Sequence, residues 1–189
     1  MNFLLKINYI LIALCFSVFS KFSYANKAFI TNEKDNTVSV LDVKKMKVID
    51  TVKVGQRPRG IIISNDGRLV LICASDDDRV EVRDVETMKL KYILPSGPDP
   101  ELMVLSPDDS VLYIANEDDA MVTVVDMADK MIIDDIPVGV EPEGMGLTNN
   151  GKVLVNTSET TNMAHFINTD NLEIFENVLV DQRPRVAMF

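Results

Sequence analysis

The sequence predicts an all-β repeat protein, because two independent series of residues share one period. The first series consists of four prolines that stand 42 residues apart, at Pro58, Pro100, Pro142 and Pro184. The second series keeps the same step with side chains that favour turns, at Asp42, Asp84, Asp126 and Asn168. The sequence therefore contains four repeats of one structural unit.

Each unit is predicted to contain four short strands. In the second unit, the apolar run Ile61–Ile63 is followed by Asp66-Gly67, a strong signal for a tight hairpin turn. The run Leu69–Cys73 then returns, Val80–Arg83 alternates at a period of two, and Leu90–Leu94 completes the unit. Nothing in the unit shows helical periodicity long enough to compete.

Four-stranded units of this length are typical of β-propeller blades. The predicted blades cover residues 26–57, 58–99, 100–141 and 142–183, and residues 184–189 begin a further strand. The first blade is expected to lack its innermost strand, because Ala28–Asn32 aligns with the second strands of the later blades.

The ring is expected to be open or incomplete. A seven-blade ring would need on the order of 290 residues at this period, and the chain has 189. The alternative is a closed four-blade ring, in which Val186–Phe189 pairs beside Phe29 as the missing strand.

The first 25 residues are predicted to be a cleavable signal peptide. They carry Lys6 and Lys21, no acidic residue, and an apolar run from Ile7 to Phe19 that is short for a membrane span. Ser23-Tyr24-Ala25 supplies the small residues that a signal peptidase accepts, which predicts cleavage after Ala25 and a periplasmic or secreted protein. An uncleaved N-terminal membrane anchor is the alternative.

The chain is acidic, with 29 Asp and Glu against 19 Lys and Arg. Removal of residues 1–25 would take away two lysines and no acid, so binding to nucleic acid or to an anionic membrane surface is disfavoured. Cys73 would then be the one remaining cysteine. It lies on an apolar strand and is expected to be a small buried hydrophobe.

Two segments resemble the YVTN family of β-propeller repeats. They are Phe29–Asn32 followed by Asn36–Asp42, and Tyr113–Asn116 followed by Val122–Asp126. Residues 156–166 are similar to a segment of the periplasmic propellers associated with PQQ-dependent alcohol catabolism. The resemblance implies an exported accessory protein. The chain has no Trp, which argues against a WD40 ring and against a quinoprotein dehydrogenase, so no cofactor is predicted.

The best candidate for a contact surface is the mouth of the propeller channel. The loops before each first strand and the loops between second and third strands share this face of a propeller, and both sets are charged. The channel-mouth surface, as we name it, comprises Glu33, Asp35, Arg57, Arg59, Asp99, Glu101, Glu117, Asp119, Glu141, Glu143, Glu159, Arg183 and Arg185.

The expected partner of this surface is another periplasmic protein or a small ligand. Its charge pairs are expected to be exposed and to contribute little to folding, about 0–1 kcal/mol each. Substitution of Arg57 and Arg59 by Glu, which reverses their charge, should then leave the melting temperature nearly unchanged.

The sequence contains no recognisable catalytic motif, because nucleophile elbow, phosphate loop, HExxH and CxxC patterns are all missing. His165 is the single histidine and takes the place of Ser39, Glu81 and Thr123 in the other repeats, so we expect a hydrogen-bonded structural residue. The leading hypothesis is a non-catalytic binding or scaffold propeller. The alternatives are a metal-assisted lactonase or hydrolase with carboxylates at the channel mouth, and a truncated product without a function of its own.

Overall fold

The computed structural model describes residues 26–189, which form four antiparallel sheets of strands that follow one another in the chain. The predicted signal peptide lies outside the described residues. The first blade contains β1 (Lys27–Asn32), β2 (Thr37–Asp42) and β3 (Lys47–Lys53). The second contains β4 (Pro58–Ile63), β5 (Leu69–Ala74), β6 (Arg79–Asp84) and β7 (Leu90–Pro95).

The third and fourth blades repeat the four-stranded plan. The third contains β8 (Pro100–Leu105), β9 (Val111–Asn116), β10 (Met121–Asp126) and β11 (Met131–Pro137). The fourth contains β12 (Pro142–Leu147), β13 (Val153–Ser158), β14 (Met163–Asn168) and β15 (Glu173–Leu179). The predicted β-propeller architecture is confirmed, and the first blade has three strands among residues 26–189, without an innermost one.

Helical structure in residues 26–189 is limited to two short 3-10 turns, Glu33–Asp35 and Ser75–Asp77. Neither turn in this part of the chain has the length and hydropathy needed to cross a membrane.

The hairpin turns follow from the residues that the repeat places there. Gly67 and Gly151 have φ of 72° and 71°, and Asp109 at the equivalent position has φ of 59°. Glycine adopts this left-handed conformation without a steric penalty, and aspartate tolerates it better than most residues. The amide of Gly67 donates to the carbonyl oxygen of Ser64 at 2.8 Å, which closes the turn between β4 and β5.

The core lies between the blades rather than inside a single sheet. Alternate residues of each second strand face opposite neighbours: Val70 and Ile72 pack toward the first blade, whereas Leu71 and Cys73 pack toward the third. All four side chains are fully buried. Each blade therefore needs a neighbour on both sides to bury its apolar surface.

The first strands of successive blades approach closely around the channel. A Cβ atom on Gly60 of β4 would lie 2.5 Å from the carbonyl oxygen of Glu101 on β8. The same contact recurs two repeats later, where a Cβ on Gly144 of β12 would lie 2.9 Å from the backbone of Arg185 and Val186. Glycine at these positions allows the backbones to pack together.

The ring is open. Residues 184–189 lie against β12 but form no strand, and β1 pairs with β2 alone among the described strands. The alternative closed ring, with Val186–Phe189 paired beside Phe29, is therefore not formed.

The blade contacts predict a contrast within one strand. Leu94 is fully buried in the contact between the second and third blades, whereas Leu90 on the same strand is 47% exposed. We expect Leu94→Ala to lower the free energy of unfolding by about 2–5 kcal/mol, because it leaves a cavity. Leu90→Ala, the matched control, should change it by less than about 0.5 kcal/mol. Denaturant unfolding measures both, and similar losses would contradict this assignment of the core.

Candidate functional site

The loops that precede each first strand share an unusual backbone conformation. Arg57, Asp99, Glu141 and Arg183 have φ between 48° and 58°, in the left-handed region. Three of the four amides are held by a side chain of the preceding blade. Arg57 donates to Asn36 Oδ1 at 2.9 Å, Asp99 to Asp78 Oδ1 at 3.0 Å and Arg183 to Asn162 Oδ1 at 3.0 Å. These bonds fix the direction in which the charged loops leave each blade.

Arg57 is the centre of an ion-pair network that spans three blades. Its Nη2 lies 2.6 Å from Glu101 Oε1, 3.0 Å from Asp99 Oδ1 and 3.8 Å from Glu117 Oε2. Its Nε lies 3.7 Å from Glu33 of the first blade. One guanidinium group therefore neutralises carboxylates from three blades.

Arg59 completes the surroundings of Glu101. Its Nη2 lies 2.7 Å from Glu101 Oε2, and its Nη1 lies 3.4 Å from Glu33 Oε2. Glu101 thus has one arginine at each carboxylate oxygen, while its side chain is only 1% exposed. Such a geometry is what a buried carboxylate needs to remain ionised.

A second network lies at the other end of the arc, on the fourth blade. Arg185 Nη2 lies 2.6 Å from Glu159 Oε2 and 3.5 Å from Glu143 Oε1, and Arg183 also pairs with Glu159. Glu143 and Glu159 are both buried. Two buried carboxyl groups thus depend on arginines of a segment that belongs to no sheet.

Burial dominates the titration of both first-strand glutamates. It raises the pKa of Glu101 to about 7, with Asp99 and Glu117 adding to the rise and Arg59 opposing it. It raises the pKa of Glu143 to about 7 as well, where a hydrogen bond with Glu159 favours the protonated form and Arg185 opposes it.

These side chains surround a cleft of about 330 Å³ at the channel mouth. Glu33 and Thr31 line it from the first blade, Arg59 and Glu101 from the second and third, and Glu143 from the fourth, together with Leu102, Pro58, Arg185 and Val186. The structure thus brings residues of every blade to one opening.

Three members of the channel-mouth surface stand outside the two networks. Glu141 accepts a hydrogen bond from Thr160 Oγ1. Asp119 accepts one from the backbone amide of Met121 at 3.2 Å, and Asp35 is exposed. None of the three forms an ion pair with another of the described residues.

The expectation that the charge pairs are exposed is wrong for several of them. Glu101, Glu143 and Glu159 are buried, and the side chains of Arg57 and Arg59 are 28% and 27% exposed. The cause is the close approach of the first strands, which encloses Glu101 and Glu143, the residues that follow Pro100 and Pro142. Reversing the charge of Arg57 and Arg59 would therefore destabilise the fold as well as change the surface.

Asp99, Glu101 and Glu117 are the described residues whose arrangement could hold a metal ion, with ligand oxygens within 4.8 Å of one another. However, the guanidinium of Arg57 contacts all three carboxylates. The arginine thus stands where a cation would bind, and a metal would have to displace it.

His165 belongs to a polar network inside the fourth blade. Its Nε2 accepts a hydrogen bond from the amide of Gly139 at 2.9 Å, so Nδ1 carries the proton and donates to Asn177 Oδ1. Ser158 Oγ lies 3.1 Å from Nε2. The expected hydrogen-bonded structural role is confirmed.

The third blade has an equivalent network that sequence reasoning missed. Asn116 Nδ2 donates to Thr123 Oγ1 at 2.7 Å, and Thr123 donates to Asp135 at 2.6 Å. These residues stand 42 positions before Ser158, His165 and Asn177. The common period was the signal that could have found them.

Two further buried groups lie in the second blade. Arg83 pairs with Glu81 at 2.7 Å, and both are buried. Cys73 is fully buried, as predicted, and burial raises the pKa of its thiol.

Comparison with known proteins supports the fold alone. No family model matches the chain, and no curated protein matches it. Among solved structures, hydrazine synthase of Kuenenia stuttgartiensis resembles it with a TM-score of 0.76 and 22% sequence identity, over 82% of this chain. The chain spans 46% of the length of that protein.

The Glu101 network predicts a large effect of its arginines on stability. We expect the double substitution Arg57→Met and Arg59→Met to lower the free energy of unfolding by about 3–5 kcal/mol at pH 8, because it leaves a buried carboxylate unpaired. The loss should be smaller at pH 5.5, where the carboxyl group is protonated. Arg68→Met, at an arginine whose side chain is 84% exposed, is the control and should change stability by less than about 0.5 kcal/mol.

Glu143 predicts a dependence of stability on pH. Its pKa is about 7 in the folded protein against an ordinary value of 4.5, so the folded state binds more protons between these values. Stability from this group is therefore lost as the pH rises from about 4.5 to about 7. The stability of Glu143→Gln relative to the original chain should increase from pH 5 to pH 8. Glu173→Gln at an exposed site should follow the original chain, and parallel curves for both variants would contradict the assignment.

Proposed function

We propose that this chain is an exported, non-catalytic β-propeller of the YVTN type that serves as a binding or scaffold accessory in PQQ-dependent alcohol catabolism. The repeat sequence, the N-terminal segment and the similarity of residues 156–166 to that group of periplasmic propellers support the proposal. The observation that carries the binding role is the cleft at the channel mouth, which is lined by charged side chains of all four blades.

The charge of this surface favours a cationic partner. The channel-mouth surface has nine carboxyl groups against four guanidinium groups. The four arginines form ion pairs with carboxylates of the same surface. Because the carboxyl groups outnumber them, the surface has a net negative charge. A lysine or arginine of another exported protein, or a small organic cation, fits this chemistry.

The second candidate function is a metal-assisted hydrolase or lactonase, and one observation favours it: Asp99, Glu101 and Glu117 converge at the mouth. Arg57 already provides the positive charge for these carboxylates at 2.6–3.8 Å. For this reason we prefer the binding role.

Capture of a cationic partner tests the binding role. The immobilised protein is mixed with periplasmic extract at low salt, and the bound proteins are identified. We expect Glu33→Lys, at a mouth residue with a 47% exposed side chain, to weaken capture several-fold, because long-range attraction governs encounter. Glu86→Lys is the control, since this 76% exposed residue lies in a turn at the opposite end of the blades. Equal loss in both variants would show that the mouth is the wrong face.

Metal analysis separates the two candidate functions. For a binding propeller we expect the purified protein to carry no stoichiometric divalent metal and to hydrolyse no lactone when Ca²⁺, Mg²⁺ or Zn²⁺ is added. Tight stoichiometric metal together with lactone hydrolysis would overturn the proposed function in favour of the enzyme.

A further inference from the structure

A second cavity lies between the second and third blades, at the end of the blades opposite to the channel mouth. Its volume is about 270 Å³, which is room for a small organic molecule. Both blades have a neighbour on each side, so neither end of the chain shapes this cavity. The hairpin-face pocket, as we name it, is lined by Ser64, Asp66, Leu69 and Tyr92 of the second blade and by Asp109, Ser110, Met127 and Ala128 of the third.

The floor of the pocket is apolar. Leu69, Tyr92 and Met127 are partly buried and pack against the core between the second and third blades. Burial raises the pKa of the Tyr92 phenol, and the charge of Asp66 raises it further, so the ring remains neutral. The floor therefore offers apolar contact together with the negative face of an aromatic ring.

The rim of the pocket is held in place by carboxylates. Asp109 accepts hydrogen bonds from the backbone amides of Asn65 at 2.9 Å and of Asp66 at 3.1 Å, which joins the hairpins of two blades. Ser64 Oγ donates to Asp66 Oδ1 at 2.7 Å, and this bond lowers the pKa of Asp66. Asp66 thus stays ionised at neutral pH, at the edge of an apolar floor.

The backbone around the pocket follows the repeat. The amide of Met127 donates to the carbonyl oxygen of Ser110 at 3.0 Å. In the fourth blade, the equivalent bond joins Thr169 to Lys152 at 3.2 Å. What distinguishes the pocket from equivalent places in the protein is therefore its side chains.

An ion pair closes the equivalent place between the first and second blades. There, Lys27 Nζ lies 2.8 Å from Glu86 Oε2, across the contact between the blades. Leu69 and Ala128 hold these two positions in the hairpin-face pocket. These side chains cannot form an ion pair across the blades, so the place is open to a ligand.

The fourth blade also has a charged pair at positions that line the pocket. Lys152 and Asp170 take the places of Ser110 and Ala128, and Lys152 Nζ lies 2.6 Å from Asp170 Oδ1. The third blade thus departs from both of its neighbours by small, uncharged side chains at the pocket.

The aromatic wall is a further departure from the repeat. At the position of Tyr92, the other blades have carboxylates, at Asp50, Asp134 and Glu176. At the position of Lys130, they have apolar residues, at Met46, Met88 and Leu172. Lys130 Nζ lies 4.5 Å from the centroid of the Tyr92 ring. The chain itself therefore places an ammonium group on this ring, at a distance at which aromatic rings stabilise cations.

We propose that the hairpin-face pocket binds a small organic cation, an ammonium ion that carries apolar groups. The ring of Tyr92 and the carboxylate of Asp66 attract the charge, and Leu69 and Met127 contact the apolar groups. Lys130 competes for the ring, because its own ammonium group lies there. The site is separate from the channel mouth and does not depend on the role proposed for that surface.

Titration with tetramethylammonium chloride, followed at the methyl signal of Met127 by NMR, tests the site. We expect a saturable shift. Tyr92→Leu should weaken binding about tenfold, because it keeps an apolar side chain but removes the ring. tert-Butanol and trimethylacetate, a neutral molecule and an anion of similar size, should bind more weakly than the cation. Equal or tighter binding of either would overturn the proposal.

The charged pair of the fourth blade provides a second variant. The double substitution Ser110→Lys and Ala128→Asp introduces that pair into the pocket, so saturable binding should be lost without a change in β-sheet circular dichroism. Lys130→Met should tighten binding about threefold, because it removes the competing ammonium group. Lys44→Met is the control, since it makes the same change of charge at an exposed site of the first blade. It should leave the affinity unchanged.

Two results would contradict the proposal directly. They are unchanged affinity in the double variant, and weaker binding in Lys130→Met. Glu33→Lys at the channel mouth should leave the titration unchanged. Loss of partner capture with an intact titration would therefore contradict the proposed function alone, and a titration without saturation would contradict the hairpin-face site alone.

Discussion

The need of every blade to bury two apolar faces governs this structure. Val70 and Ile72 face one neighbour, whereas Leu71 and Cys73 on the same strand face the other. A single blade would leave one of these sets in water, so stability comes from the contacts between blades. The glycines at Gly60 and Gly144 follow from the same need, because they allow first strands to approach within backbone contact.

The close approach of the first strands also decides the electrostatics of the channel mouth. It encloses Glu101 and Glu143, and burial raises the pKa of both to about 7. Arginines from neighbouring loops then become part of the fold, since they are the partners that keep these carboxylates in place. The residues that form the candidate binding surface therefore also hold adjacent blades together.

The blade architecture could be predicted from the sequence, whereas the environment of the candidate site could not. The proline series and the Asp-Gly turns are local signals, and they predict the order of the strands. They also predict the end of the blades at which the charged loops of the channel-mouth surface come together. The buried Glu101 is paired with Arg57, which lies 44 residues away in another blade. Left-handed backbone at Arg57, Met46 and Leu172 had no local signal either, because these residue types do not favour positive φ.

The two ends of the channel mouth differ in how firmly their charges are held. Arg59 belongs to β4 of a complete sheet, and Arg57 directly precedes this strand and accepts a hydrogen bond from the amide of Ser75, so the backbone on both sides of Pro58 is fixed. Arg183 and Arg185 belong to a segment that pairs with no described strand, yet they are the cations beside Glu143 and Glu159.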